Sequence, residues 1–237
     1  MAKYVVIDNR MRKVEKYKLV ELGYNIIEIP TSKVVYPEIS SHVDIFCCKV
    51  KDKLVVEKSI FENFSTFDNI VSGNKLVEDK YPSDILYNVC IIGDLAVHNF
   101  KYTDKSILDL ISKYDMVKVN INQGYSKCSI VVIDDNSAIV TDESIAKVLN
   151  ANGVETLIID DLKQIKLLKK NNSYSSMNGF IGGVMSKLDD AIFVSGDLNK
   201  IDKENKIRNF IESRNLKVVD FPDLDIIDYG GIIEFQI

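Results

Sequence analysis

In this chain of 237 residues, the features that would indicate an anionic, nucleic-acid or membrane partner are scarce. Only four of its 30 basic residues are Arg, so few guanidinium groups are available for bidentate binding of anions. The formal net charge of −5 argues against a nucleic-acid or membrane-surface partner, since both attract basic patches. No apolar run has signal-peptide length or approaches the ~20 residues of a membrane span. We therefore expect a cytoplasmic protein.

Cysteine and histidine are scarce too, and their spacing excludes the usual metal and cofactor motifs. The four cysteines are Cys47, Cys48, Cys90 and Cys128, which we expect to be thiols in a reducing compartment. Because no Cys or His pair has zinc-site spacing, no metal is predicted. No dinucleotide fingerprint or phosphate-binding loop occurs. An oxidoreductase or kinase on an open sheet therefore ranks last, and no cofactor is expected.

The sequence does contain an internal repeat. Residues 128–160 predict a strand, a tight turn, a second strand, a helix and a third strand. The same order recurs at 179–221 and 85–121, and more loosely from 43 to about 80. A short basic helix is predicted at 163–170, too small to indicate nucleic-acid binding.

The two ends of the chain each supply part of a fifth unit. The N-terminus reads strand (3–8), helix (10–23) and strand (24–29), and the C-terminus adds one strand at 230–237. We therefore predict an α/β protein of one domain, residues 1–237, built as a pseudo-fivefold ring (an α/β propeller) of strand-strand-helix-strand units. Pairing of the C-terminal strand with the N-terminal unit would close it. Strand-helix alternation alone also fits an open doubly wound sheet, but the split unit favours the ring.

Three short motifs place reactive residues at the starts of units. "SSHVDIF" carries His42 and Asp44, "GYSKCS" carries Cys128 after a glycine turn, and "DYGG" carries Asp228 before Gly230 and Gly231. His42 and Cys128 are 86 residues apart, and Cys128 and Asp228 are 100 apart, each close to two units.

A five-unit chain with these motifs resembles the pentein superfamily of guanidino-group-modifying enzymes. It is also similar to uncharacterised bacterial proteins assigned to that fold. In the enzymes a cysteine attacks the guanidinium carbon, a histidine of an H-x-D motif moves protons, and a carboxylate beside a Gly-Gly pair holds the substrate. Their cysteine lies near the C-terminus, whereas the order here is His42, Cys128, Asp228. A ring cut at a different unit accommodates that order, and the resemblance implies that these side chains meet where the first strands line the axis of the ring.

The resemblance implies a role for each candidate residue. Cys128 would be the nucleophile, His42 the general acid/base and Asp228 the carboxylate partner of the substrate. Four further residues are expected to bind substrate or line the same pocket: Asp44, Asn88, Asn178 and Gly230. Asp44 could instead orient the imidazole.

The function predicted on this basis is a cysteine-dependent hydrolase or amidino-transferring enzyme acting on a guanidino or amidino small molecule. The alternative is a non-catalytic binding module of the same fold, for a small molecule or a partner protein. A cysteine at a strand start is commonly a small buried hydrophobe, and His98 is expected to be a structural, partly exposed strand residue. The oligomeric state is not predicted.

Overall fold

Short strands and short helices alternate along the chain. The computed structural model describes residues 2–160 and 163–237. The strands are β1 (Lys3–Asp8), β2 (Asn25–Ile29), β3 (Cys47–Val50), β4 (Lys53–Val56), β5 (Ile70–Ser72), β6 (Cys90–Ile92), β7 (Leu95–His98), β8 (Val117–Asn120), β9 (Ile130–Asp134), β10 (Ser137–Val140), β11 (Glu155–Ile158), β12 (Lys166–Leu168), β13 (Tyr174–Asn178), β14 (Met185–Leu188), β15 (Ala191–Val194), β16 (Lys217–Val219) and β17 (Ile233–Gln236).

The helices are α1 (Lys13–Glu21), α2 (Val43–Phe46), α3 (Lys105–Lys113), α4 (Ser126–Ser129), α5 (Glu143–Ala151) and α6 (Lys206–Glu212), with 3₁₀ helices at Pro37–Ile39, Lys58–Phe64, Ile181–Gly183 and Leu198–Lys200. Helices α2 and α4 are single turns. In the described part of the chain, no helix has both the length and the apolar character needed to cross a membrane.

Five three-stranded sheets of the described residues share one internal order. In each, the middle strand pairs antiparallel with one neighbour and parallel with the other: β17-β1-β2, β3-β4-β5, β6-β7-β8, β9-β10-β11 and β14-β15-β16. A tight turn joins antiparallel strands, whereas a parallel partner needs a helical crossover. The strand-strand-helix-strand unit predicted from the repeats therefore has its counterpart in each sheet.

The first and last parts of the chain share one of these sheets. Strand β1 pairs antiparallel with β17, from Lys3 opposite Gln236 to Val6 opposite Ile233. It also pairs parallel with β2, the strand that follows α1. The N-terminal strand, helix and strand are thus completed by the C-terminal strand, as the split unit predicts.

The five strands that begin the units lie side by side. We call β17, β3, β6, β9 and β14 the first strands. Consecutive members of this series contact one another. Strand β14 also contacts the segment that leads into β17, because Ser186 Oγ accepts the Ile232 N–H at 2.7 Å. Residues of all five line one cavity of about 820 Å³, here called the strand-lined cavity.

The hydrophobic core lies between the sheets and the helices that cross over them. Helix α5 shows the pattern, with Ile145, Ala146 and Leu149 buried towards the sheet. Asp142 caps its N-terminus by accepting the backbone N–H groups of Ser144 and Ile145. Short helices of this kind are held mainly by the burial of one apolar face.

Two parts of the predicted secondary structure are wrong. Strands predicted to start at 43, 85 and 179 begin later, because a turn precedes each of these first strands. A short segment of mostly apolar residues does not distinguish a strand from a buried turn. The segment 163–170, predicted as a helix, contains β12, which pairs with β13 in a hairpin. Lys166 also hydrogen-bonds through its backbone to Ile226 and Asp228, which favours the extended form.

Removing an aromatic ring from β17 should destabilise the protein strongly. Phe235 is buried and packs on Tyr4 and Phe67, with ring centroids 5.5 and 5.6 Å away. We expect Phe235→Ala to lower the free energy of unfolding by roughly 3–5 kcal/mol, measured by urea denaturation. Gln236→Ala is the matched control, because its side chain lies on the exposed face of the same strand. Equal stability of the two variants would contradict the role assigned to this strand.

Candidate active site

The turns that precede the first strands interlock and bring the candidate residues together. The Asp44 N–H donates to the Gly230 carbonyl at 3.2 Å, and the Gly231 N–H donates to the Gly183 carbonyl at 2.9 Å. The Cα of Gly182 lies against the Cys128 carbonyl, since a Cβ there would come within 2.5 Å of that oxygen. Close backbone approach of this kind requires glycine.

Cys128 lies in α4 and its thiol is held by two polar side chains. Cys128 Sγ donates to Asp44 Oδ2 at 2.9 Å and accepts from Asn88 Nδ2 at 3.1 Å. The same Asn88 nitrogen donates to the Asp44 carbonyl at 3.2 Å. Only 3% of Cys128 is exposed, and Asp44 and Asn88 are fully buried. The three residues come from three different units, so the tertiary fold assembles the contact.

The electrostatics of this contact favour a neutral thiol. Burial raises the pKa of Cys128 well above its ordinary value, and the negative charges of Asp44 and Asp228 raise it further. Burial also raises the pKa of Asp44 to about 7 and that of Asp228 to about 6. The backbone N–H groups of Phe180 and Gly230, each 2.8 Å from the Asp228 carboxylate, oppose this shift. The carboxylates are thus poised to exchange protons near neutral pH.

His42 lies beside Asp228. Its Nδ1 is 3.7 Å from Asp228 Oδ1, which is too long for a hydrogen bond. Burial lowers the pKa of His42 well below its ordinary value, and the positive charge of Arg10 lowers it further. The imidazole is therefore neutral at neutral pH. Among the described residues, His42 Nε2 and Asp44 Oδ1 have no hydrogen-bond partner, so two buried polar atoms remain able to bind a ligand.

Gly230 keeps the backbone close to both of these side chains. Its φ is +70°, and a Cβ at this position would lie 2.5 Å from His42 Cβ and 2.7 Å from Asp44 Oδ1. Any larger residue would displace them. We call Cys128, Asp44, Asn88, His42, Asp228 and Gly230 the buried cluster.

Two sequence predictions need correction. Asn178 does not join the buried cluster: it ends β13 with an exposed side chain, because the unpredicted hairpin turns it outward. His98 is structural as expected, but it is buried rather than partly exposed, with ring nitrogens 2.6 Å from Thr103 Oγ1 and 3.0 Å from the Gly124 carbonyl.

Among the described residues, the hydrogen-bond partners of the Cys128 thiol do not include His42, the predicted general acid/base. In residues 2–160 and 163–237, the Cys128 thiol hydrogen-bonds to Asp44 and Asn88, and no hydrogen bond joins it to His42. The H-x-D spacing pointed to both side chains, but spacing alone does not show which one reaches the sulfur. The general acid/base role of His42 therefore stays a prediction.

Aromatic residues that the sequence reasoning missed lie near the buried cluster. Tyr125, three residues before Cys128, stacks on Phe180, with ring centroids 6.1 Å apart. Phe180 is 39% exposed, and its backbone holds Asp228. Tyr81 packs against Tyr125 at 6.2 Å, and the Tyr125 hydroxyl bonds to Asp84. Tyr81, Tyr125 and Phe180 form what we call the aromatic cover.

The buried cluster is separate from the strand-lined cavity. Lys127 lines that cavity, and its Nζ donates to the Gly182 carbonyl at 3.2 Å. No member of the buried cluster appears among the described lining residues. Nor do the described residues include a group of three or more His, Cys, Asp or Glu side chains arranged to hold a metal ion.

The fold is similar to those of dimethylarginine dimethylaminohydrolases and an agmatine deiminase. Dimethylarginine dimethylaminohydrolase from Pseudomonas aeruginosa, in complex with citrulline, matches with a TM-score of 0.58 at 8% identity, over 100% of each chain. A dimethylarginine dimethylaminohydrolase adduct with 4-chloro-2-hydroxymethylpyridine gives 0.59 at 9% identity, over 95% of this chain and 93% of that one. The agmatine deiminase of C. jejuni gives 0.54 at 9% identity, over 92% and 86%.

At these identities the likeness shows the fold alone, and at that level the predicted pentein resemblance is confirmed. By sequence, the chain belongs to a family of unknown function (DUF6873), whose model matches residues 6–233. No curated protein matches the sequence.

The raised pKa of Asp44 predicts a specific pH dependence of stability. The folded-state value is about 7, against an ordinary value of 3.8. As the pH rises between these values, the unfolded state releases a proton that the folded state keeps, so Asp44 lowers stability. Asp44→Asn removes this effect. The unfolding free energy of the variant relative to wild type should therefore increase across this interval, by on the order of 4 kcal/mol.

Urea denaturation at a series of pH values measures this difference. The exposed residue Asp79 provides the control, since Asp79→Asn should follow the wild-type curve. A difference between Asp44→Asn and wild type that does not change with pH would show that Asp44 is ionised throughout.

Proposed function

We propose that this protein is a cysteine-dependent enzyme that acts on a guanidino or amidino compound through a covalent thiol intermediate. The observation that carries the proposal is the Cys128–Asp44 contact of 2.9 Å inside a buried cluster that also holds His42 and Asp228. A thiol, two carboxylates and an imidazole are the groups that guanidinium hydrolysis requires. The named activities of the structural neighbours, on dimethylarginine and agmatine, are of the same general kind.

The charge of the buried cluster suits a cationic substrate. Asp44 and Asp228 are both buried, and one oxygen of Asp44 has no partner among the described residues. A guanidinium or amidinium group is planar and presents several N–H donors, so it can bind two carboxylates at once. Its positive charge would also offset the effect of the carboxylates on Cys128 and lower the pKa of the thiol. Substrate binding would thus activate the nucleophile.

The first chemical step would then transfer the thiol proton to Asp44 Oδ2, the acceptor already in contact. Cys128 Sγ bonds to the guanidinium carbon, and the bond from that carbon to the leaving nitrogen breaks. The nitrogen departs as an amine or ammonia with the transferred proton. The product of this step is a positively charged S-amidino (thiouronium) cysteine.

The second step consumes water. His42, neutral and with Nε2 unpartnered among the described residues, is suited to take a proton from a water molecule that attacks the thiouronium carbon. The carbon–sulfur bond breaks, Cys128 recovers its proton, and a urea or ureido product is released. The remaining proton is released to solvent, where the amine from the first step takes it up as ammonium, so charge and atoms balance.

A substrate must pass the aromatic cover to reach Cys128. Tyr125 precedes Cys128 by three residues and stacks on Phe180, whose backbone N–H donates to Asp228. Displacement of these two rings would therefore open the buried cluster. Their faces would also bind a cation. We assign them the role of holding the substrate at the entrance.

The closed arrangement of the five units is also part of this proposal. We infer that the five units form a closed ring of approximate fivefold symmetry, which makes residues 1–237 one domain. The series of contacts between first strands, the β1–β17 pairing and the cavity common to all five first strands support it. A ring places the turns of His42, Cys128 and Asp228 at one end, which explains how distant residues meet.

A second candidate function is a non-catalytic binding module. The near-complete burial of the cluster and the raised pKa of Cys128 favour it, because a protonated, covered thiol is a poor nucleophile. Product release separates the two candidates, because only an enzyme converts a bound guanidino or amidino compound.

Turnover should depend on Cys128. On a panel of guanidino and amidino compounds, assayed for ammonia, amine and ureido products, we expect Cys128→Ala to lower kcat/KM at least ~1,000-fold. Cys90→Ala removes a buried thiol from the first strand β6 and should retain activity. Mass spectrometry of quenched reactions should detect an adduct on wild type only. No turnover by wild type on the whole panel would favour the binding module.

Truncating the aromatic cover should weaken substrate binding more than it slows the chemistry. Phe180→Ala removes one face of the stacked pair but keeps the backbone N–H that holds Asp228. We expect KM to increase roughly tenfold, which corresponds to the free energy of about one cation–π contact. We expect kcat to stay within about threefold of wild type. Tyr174→Ala, at an exposed ring of the neighbouring hairpin, is the control. An unchanged KM in Phe180→Ala would remove Phe180 from the substrate path.

A further inference from the structure

Three ammonium groups face the strand-lined cavity without a carboxylate partner. They belong to Lys49 on β3, Lys187 on β14 and Lys127 in the turn before β9. Within the part of the chain that the structure describes, none of the three makes a salt bridge, and Lys127 Nζ donates only to the Gly182 carbonyl. Like charges gathered around one cavity repel one another unless an anion lies between them.

The acidic residues around the cavity are largely engaged elsewhere. Asp94 bonds to Lys51 at the cavity edge, and Asp189 bonds to Lys3 and to the Tyr24 hydroxyl. Asp135, in the turn between β9 and β10, also lines the cavity.

Glu234, on β17, also lines the cavity. Its Oε2 accepts the Asp189 N–H at 3.0 Å. Burial lowers the pKa of Lys49, and the charge of Glu234 only partly opposes that shift. Among the described lining residues that make no salt bridge, the two carboxylates of Asp135 and Glu234 therefore face three ammonium groups, which leaves an excess of one positive charge.

The three lysines are distributed along the depth of the cavity. Lys127 reaches the end beside Gly182 and Gly231, close to the starts of the first strands. Lys49 and Lys187 are each the third residue of their strands, which places them farther along by about 7 Å at ~3.3 Å per residue. A ligand that meets all three would carry at least two separated negative charges. The volume of about 820 Å³ lies within the range typical of small-molecule sites, ~300–1,000 Å³.

We propose that the strand-lined cavity binds a small polyanion of the phosphate or polycarboxylate class, held by Lys49, Lys127 and Lys187. Ammonium groups serve as point-charge ligands for such anions. The site goes beyond the proposed enzymatic function and does not depend on it, because the buried cluster does not line the cavity.

Isothermal titration calorimetry with two probes, tripolyphosphate and citrate, tests the proposal at fixed pH and ionic strength. We expect saturable binding with one site per chain. Lys49→Met and Lys187→Met should each weaken it at least tenfold. Lys105→Met is the matched control, because Lys105 carries the same charge on the exposed face of α3, and its affinity should stay within twofold of wild type.

The two probes also identify the ligand class. Tighter binding of tripolyphosphate assigns a phosphate compound, and tighter binding of citrate assigns a polycarboxylate. Should Lys49→Met fail to fold, Lys187→Met alone decides, since its side chain is exposed. Absence of saturable binding for both probes, or an equal loss in Lys105→Met and Lys187→Met, would overturn the proposal.

Discussion

The buried side-chain amide of Asn88 is the interaction on which the candidate site depends. Its oxygen accepts the backbone N–H groups of Lys127 and Cys128 at 2.8 and 3.3 Å, and its nitrogen donates to the Asp44 carbonyl and to Cys128 Sγ. These four bonds use the full capacity of the amide. Because they join the turns of three units, the position of the thiol relative to Asp44 is fixed by one side chain rather than by a local motif.

A second constraint is the charge that the fold holds beneath the aromatic cover. Two carboxylates are buried with a neutral imidazole, and Arg10, the nearby guanidinium, already pairs with Asp8 at 2.6 Å. Burying an unpaired carboxylate is costly, so its pKa rises. The same cost makes the cluster receptive to a cation, which can bind both carboxylates without displacing an internal partner. In the proposed function, this unfavourable burial in the free protein would give the site its selectivity for a cation.

The repeats predicted much of the fold, because each unit has the same periodicity and the two terminal fragments complete one another. The spacing of His42, Cys128 and Asp228 also indicated that they meet, since all three stand where a unit begins. Three features depended on tertiary contacts that the sequence does not display. Apolar runs before the first strands fold as turns, Asn178 is carried outward by a hairpin, and Asp44 rather than His42 reaches the sulfur.

Lys127 and Cys128, joined by one peptide bond, face two environments of opposite charge. Cys128 belongs to the acidic buried cluster, whereas Lys127 reaches into the basic strand-lined cavity. The positive charge of Lys127 lowers the pKa of both Asp44 and Asp228, so it already acts across this boundary. An anion bound beside Lys127 would cancel part of that effect and raise both pKa values. Binding of the proposed anion would therefore be coupled to the buried cluster through a single side chain, with no change of conformation needed.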